Sequence, residues 1–216
     1  MKNVKIITGM FTSKRYLGVL KQQYKSHNFN VEVISNHWSL LLHPFTHKYL
    51  YKSYNKNINK NDLLHVLSGA NFSIIPYICD KQNFLVSDSS IYNFETVANG
   101  FFHVFNPKKY TSYKDNVEKK SGIFKYKIVK KYLDFVFFPE YKKKYISSLH
   151  YLIKQKRIVL IHSKNDNCVS YNGFEKIIQN NGALFDNGKH SMLFDIEENR
   201  FFFYDIIKKY ENHLDK

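Results

Sequence analysis

Short apolar runs of strand length recur along the chain, and most are followed by a stretch whose apolar positions fall at helical spacing. Val4-Lys5-Ile6-Ile7-Thr8-Gly9 is the first run and ends at a glycine. Thr12-Ser13 can cap the next segment, where Tyr16, Leu17, Val19, Leu20 and Tyr24 repeat as one face of a helix. Residues 29–34 alternate as a second strand, 36–44 read as loop, 45–54 as a short helix and 55–61 as a polar linker. Leu63 to Leu67 form a third strand, halted by Ser68-Gly69, and an apolar helix is predicted from there to about Cys79. A fourth strand ends at Asp88, and 94–105 look helical. Residues 107–131 are polar and Lys-rich without a clear period, and 132–139 fit strand or helix equally. A basic helix over 140–156, a strand over 157–162, a helix over 170–180, a short strand over 183–186 and a closing helix over 196–210 complete the pattern.

Strand and helix alternate, which predicts a single α/β domain over 1–216. Its sheet would be mainly parallel, of about six strands, with helices on both faces. The alternation breaks once, over residues 101–156, before the penultimate strand. An excursion of that length in a compact domain predicts a helical cap or lid.

Composition narrows the function classes. Apolar residues make up 44% and aromatic residues 17%, enough for a folded core. No apolar run reaches the roughly 18 residues that span a bilayer. The chain enters its first strand at once, leaving no room for a signal peptide. Cys79 and Cys168 are too few for a disulfide framework and lack metal-ligand spacing. The expected location is therefore cytoplasmic. A net charge of +15 suggests an anionic partner, and an anionic membrane surface is one. Nucleic acid is a poorer match, because nearly all this charge is lysine, a composition that AT-rich coding also produces, and bidentate nucleic-acid contacts favour arginine.

The candidate chemistry lies just past three strand ends. Ser68 follows the third strand, Asp166 the fifth and His190 the sixth. The carboxyl edge of an open parallel sheet is where sites form. A strand, a sharp turn at a serine and a helix make a nucleophile elbow, and the order Ser, Asp, His is that of α/β-hydrolases. The Gly-x-Ser-x-Gly pattern is not met, since Val66 and Ala70 hold the glycine positions.

The chain resembles an α/β-hydrolase that starts at the strand carrying the oxyanion loop, without the N-terminal antiparallel hairpin. Residues 161–169 resemble the superfamily's acid loop, and Gly188-Lys189-His190-Ser191 its Gly-x-His loop. A narrower resemblance is to the family that includes transmembrane protein 53, whose nucleophile segment is similar to His65-Val66-Leu67-Ser68-Gly69-Ala70-Asn71. The next strand there also ends in Asp-Ser, as Asp88-Ser89 does here. The resemblance implies a serine hydrolase acting on an acyl ester or thioester, from a small molecule or a lipid, without cofactor or metal. Ser68 would attack, His190 would carry the proton, and Asp166 would orient the imidazole. The backbone amides of Met10 and Gly69 would form the oxyanion hole. Asp88 is the alternative acid, and otherwise a structural hydrogen-bonding residue.

The rival reading is a catalytically inactive α/β-hydrolase fold used for binding or scaffolding, in keeping with the missing elbow glycines. His65, inside a strand, reads as a core histidine and Ser73 as a packing residue. His37, His43 and His47 match no ligand spacing. The cap would turn Phe101, Phe102, Phe105, Phe135, Phe137 and Phe138 inward over Ser68. Lys108, Lys109 and Lys142 to Lys144 would form a basic rim. Oligomeric state leaves no mark on the sequence.

Overall fold

The computed structural model describes residues 2–9, 12–35, 44–112 and 114–215, without the side chains of 44–47 and 50. Six strands form one sheet: β1 (Lys2–Ile7), β2 (Phe29–Ile34), β3 (Leu63–Leu67), β4 (Phe84–Asp88), β5 (Ile158–Ser163) and β6 (Gly182–Phe185). Their order is β2-β1-β3-β4-β5-β6, and every neighbouring pair is parallel. The three central strands β3, β4 and β5 are buried at every position, as expected when helices cover both faces.

Alternation along the strands feeds two cores. Val4, Ile6, Leu63, Leu67, Val86, Val159 and Ile161 face one side. There they meet α1 (Lys14–Ser26) through Tyr16, Leu20 and Tyr24, and α9 (Phe202–Leu214) through Phe203, Ile206 and Tyr210. Ile7, Leu64, Val66, Leu85 and Leu160 face the other side, against α3 (Ala70–Ile74) and α7 (Pro139–Lys154). Helix α1 starts where its sequence says, since the Ser13 hydroxyl accepts the Tyr16 amide at 3.0 Å.

All six strands form where the apolar runs place them, and the helices differ more. The segment after Ser68 stays α-helical only to Ile74 and tightens to a 3₁₀ turn over Ile75–Tyr77, because Pro76 has no amide to donate. The helix predicted over 170–180 is α8, Glu175–Asn181. The closing helix begins at Phe202, after 3₁₀ turns at Leu193–Asp195 and Glu197–Asn199. Helix α2 (Pro44–Asn55) matches its prediction.

Between β4 and β5 lie α4 (Val97–Phe105), α5 (Val117–Ser121), α6 (Ile123–Val136) and α7. The stretch without a clear period is therefore largely helical, and the ambiguous 132–139 ends α6 and enters α7. Helix α7 belongs to the core layer, with Tyr145, Leu149 and Leu152 fully buried. Helices α4 and α6 pack on each other beside the carboxyl edge of the sheet.

Candidate active site

The chain runs outward from β1 to β2, then crosses back to place β3 on the other side of β1. Loops leaving β1 and β3 therefore diverge at this switch point, where an open sheet forms a crevice. Ser68 sits there. Its φ is +50°, the left-handed region that non-glycine residues seldom enter. The turn is held from three sides. Ser68 donates its amide to the Asp88 carbonyl at 2.7 Å. The Asn71 side-chain amide donates to the carbonyls of Ser68 at 2.8 Å and Val66 at 3.2 Å. Asn71, fully inside the core, thus clasps an elbow that lacks its glycines. Gly9 at the exit of β1 abuts the same turn, for a Cβ there would lie 2.7 Å from the Leu67 carbonyl oxygen and 2.9 Å from the Ser68 Cβ.

Three residues predicted from separate strand ends are brought together. Ser68 Oγ lies 2.7 Å from His190 Nε2, and His190 Nδ1 lies 2.8 Å from Asp166 Oδ2. The other Asp166 oxygen accepts the amides of Cys168 at 2.7 Å and Val169 at 3.0 Å, which fixes the carboxylate plane. Burial alone would push the His190 pKa down. The Asp166 charge and hydrogen bond, helped by Asp88, more than offset it and hold it above the ordinary imidazole value. Burial likewise pushes Asp166 up, but His190, with smaller help from His162 and the Val169 amide, brings it below the usual carboxylate range.

Polar groups beneath this chain went unseen in the sequence. His162, in β5, lies 3.4 Å from Asp166 Oδ2, and burial pushes its pKa down, keeping it neutral. Ser163 Oγ donates to the Gly188 carbonyl at 2.8 Å, and the Ser191 amide donates to Ser89 Oγ at 2.9 Å. These bonds fix both ends of the loop that carries His190. Their only sequence trace is a polar residue inside or just after an apolar strand.

Asp88, the alternative acid, is engaged elsewhere. It accepts from Tyr16 OH and Ser89 Oγ, each at 2.7 Å, and lies 3.5 Å from His65 Nε2. Tyr24 OH lies 2.8 Å from His65 Nδ1, so His65 is a satisfied core histidine. Ser73 is fully buried in α3. Met10 lies outside the described residues, as do His37, His43 and the side chain of His47. Asp166, Cys168 and His190 offer metal-ligating atoms within 4.8 Å of one another. The carboxylate and imidazole are already bonded to each other, and burial pushes the Cys168 thiol far up, which disfavours the thiolate a metal needs.

A cleft of about 310 Å³ opens over Ser68, Gly69 and His190. Its walls are mostly apolar: Phe72, Ile91, Val97, Phe101, Leu133 and Phe137 among them. Helix α4 supplies one wall and seats closely on the Asp166 loop at Gly100, where a Cβ would overlap the Cys168 carbonyl. Of the phenylalanines expected to face inward, Phe101, Phe105 and Phe137 line the cleft. The others do not. Phe102 packs on Tyr110 and Tyr126, Phe138 sits against the core, and Phe135 is 61% exposed on α6. The expected lysine rim is also absent from the lining, where Lys189 is the one lysine among the described residues. Lys108, Lys109, Lys143 and Lys144 lie exposed, and Lys142 and Lys144 sit over the rings of Phe94 and Tyr77.

No protein-family model matches the sequence, and no curated protein is similar enough to align with it. Solved structures do match. An esterase from Pyrococcus furiosus superimposes with a TM-score of 0.56 at 14% identity, covering 98% of this chain and 82% of that one. An extracellular α/β-hydrolase from a Paenibacillus species gives 0.56 at 10% identity, covering 97% and 99%. A bromoperoxidase from Bacillus anthracis gives 0.54 at 14% identity, covering 100% and 92%. With six parallel strands in this order and these neighbours over nearly its whole length, the chain has the α/β-hydrolase fold.

Proposed function

We propose that the protein is a serine hydrolase acting on an acyl ester or thioester. The observation that carries this reading is the unbroken hydrogen-bonded chain from Ser68 Oγ through His190 to Asp166. In this mechanism Ser68 Oγ attacks the carbonyl carbon while His190 Nε2 takes its proton. The carbonyl π electrons move to oxygen, and the amide of Gly69, beside Ser68 in the cleft, stabilises the oxyanion, with Met10 as the proposed second donor. Collapse of the tetrahedral intermediate breaks the bond to the alcohol or thiol, which leaves with the proton from His190. Water then attacks the acyl-serine, His190 takes its proton, and the carboxylate departs as Ser68 regains its hydrogen. Asp166 keeps Nδ1 protonated throughout, so that Nε2 stays free to accept.

Helices α4 and α6 act as a cap in this proposal, and the apolar cleft beneath them takes the acyl chain. The narrower kinship with the family of transmembrane protein 53 belongs to the same proposal and rests on the segments around Ser68 and Asp88. No helix among the described residues is long and apolar enough to cross a membrane. Both cysteines are free, in keeping with a reducing compartment such as the cytoplasm. A series of p-nitrophenyl esters of rising chain length tests the reading. Turnover that is abolished by Ser68→Ala and favours medium or long chains is expected. Turnover of acetyl esters alone would remove the acyl-chain part, and no turnover of any ester or acyl-thioester would remove the whole.

A further inference from the structure

Helix α6 has two apolar faces. Tyr126, Val129, Leu133 and Val136 turn toward the protein, and Leu133 lines the cleft. On the opposite side Phe124, Ile128, Tyr132 and Phe135 recur three or four residues apart, which stacks them into one stripe along the helix. Phe124 is 77% exposed, Ile128 52% and Phe135 61%. A contiguous apolar stripe in water marks a surface meant for something else. Lysines flank it: Lys125 on one side, Lys127 and Lys131 on the other, with Lys130 beyond. The described ion pairs of this region join Lys120 to Asp115 and Lys142 to Asp134, leaving those four lysines to solvent.

We propose that the outer face of α6 docks the protein on an anionic lipid membrane, with the stripe in the acyl boundary and the lysines at the head groups. Charge selects this occupant. A second copy seated on the same face would bring two sets of lysines together, whereas anionic head groups neutralise them. The geometry is that of a helix lying in the plane of an interface, apolar below and basic at its flanks. Docking in this pose sets the cleft beside the lipid, since Leu133 of the same helix forms part of its wall. The proposal does not require Ser68 to be a nucleophile.

The full-length chain would be sedimented with vesicles of phosphatidylcholine alone and of phosphatidylcholine mixed with phosphatidylserine. Binding to the anionic vesicles is expected, falling with added salt and weak on the neutral ones. Each lysine near the charged surface contributes roughly fivefold, so Lys125→Gln with Lys127→Gln and Lys131→Gln should weaken binding by about a hundredfold. Phe124→Ser with Ile128→Ser should abolish it, with the thermal midpoint unchanged because both side chains are exposed. Ser68→Ala should bind like the wild type, whether or not hydrolase activity is found. Equal binding to both vesicle types, no binding, or undiminished binding by either α6 variant would overturn the proposal. So would self-association that the Phe124 and Ile128 changes disperse.

Discussion

Replacing Asp166 by Asn is the sharpest perturbation of the site, because it removes a charge and a tautomer while keeping the shape. In the native protein Asp166 Oδ2 accepts from His190 Nδ1 at 2.8 Å, and Oδ1 accepts from Cys168 and Val169. An asparagine keeps its carbonyl on the two backbone amides and so presents its NH₂ to His190. Two donors cannot face each other, so the imidazole moves its proton to Nε2. The nitrogen 2.7 Å from Ser68 Oγ then can no longer take the serine proton. In serine hydrolases this wrong tautomer costs about 10⁴-fold in kcat, or roughly 5.4 kcal/mol of transition-state stabilisation. Asp88→Asn is the matched control. Its carboxylate holds Tyr16 and Ser89 rather than His190, so this variant should lose stability by about 1–3 kcal/mol and keep kcat within about tenfold. Steady-state hydrolysis of a p-nitrophenyl ester and thermal unfolding of both variants give the comparison. A similar fall in kcat for both, or a fall under about tenfold for Asp166→Asn, would refute the assignment of Asp166 as the orienting acid.

Three further outcomes are expected. The rate should rise with pH through a midpoint above the ordinary imidazole value of 6.5, because Asp166 holds His190 charged to higher pH and only the neutral ring is a base; a midpoint below 6.5 in kcat/KM would contradict this. By the same linkage, the stability contributed by charged His190 is complete below 6.5 and lost as pH rises through its raised folded pKa. That of Asp166 is lost as pH falls through its lowered one, and thermal midpoints of wild type and His190→Ala across pH measure the first of these. Phe137→Ala removes a cleft wall 5% exposed, whose ring centroid lies 4.5 Å from that of Phe72; it should destabilise by about 3–5 kcal/mol in chemical denaturation and shift preference toward longer acyl chains.

The sheet was legible because its strands are short apolar or alternating runs bounded by breakers, and three of the six, β3, β4 and β5, are buried at every position, with β1 buried over its last four. Ser68, Asp166 and His190 were legible for a related reason, since strand ends show in sequence and side chains beyond them converge at one edge. Helix α6 was not. Its apolar residues fall on two opposite faces, so no single face stands out, and the lysines between them made the segment look merely polar. The lysines expected around the cleft, Lys108, Lys109 and Lys142 to Lys144, do not line it, whereas the lysines beside an exposed apolar stripe are on α6. Of the supports under the site, Ser89 joins a residue far off in the chain, while His162 and Asn71 reach only a few residues away through turns whose geometry spacing does not encode.

Reaction of the wild-type protein with a fluorophosphonate probe, located by mass spectrometry of its peptides, tests the central claim most directly. An activated serine beside a base reacts with such a reagent, and an ordinary buried hydroxyl does not. A single adduct on Ser68 is expected, lost in Ser68→Ala and in His190→Ala while both variants unfold cooperatively like the wild type. No adduct, or one on another serine that persists without Ser68, would contradict it.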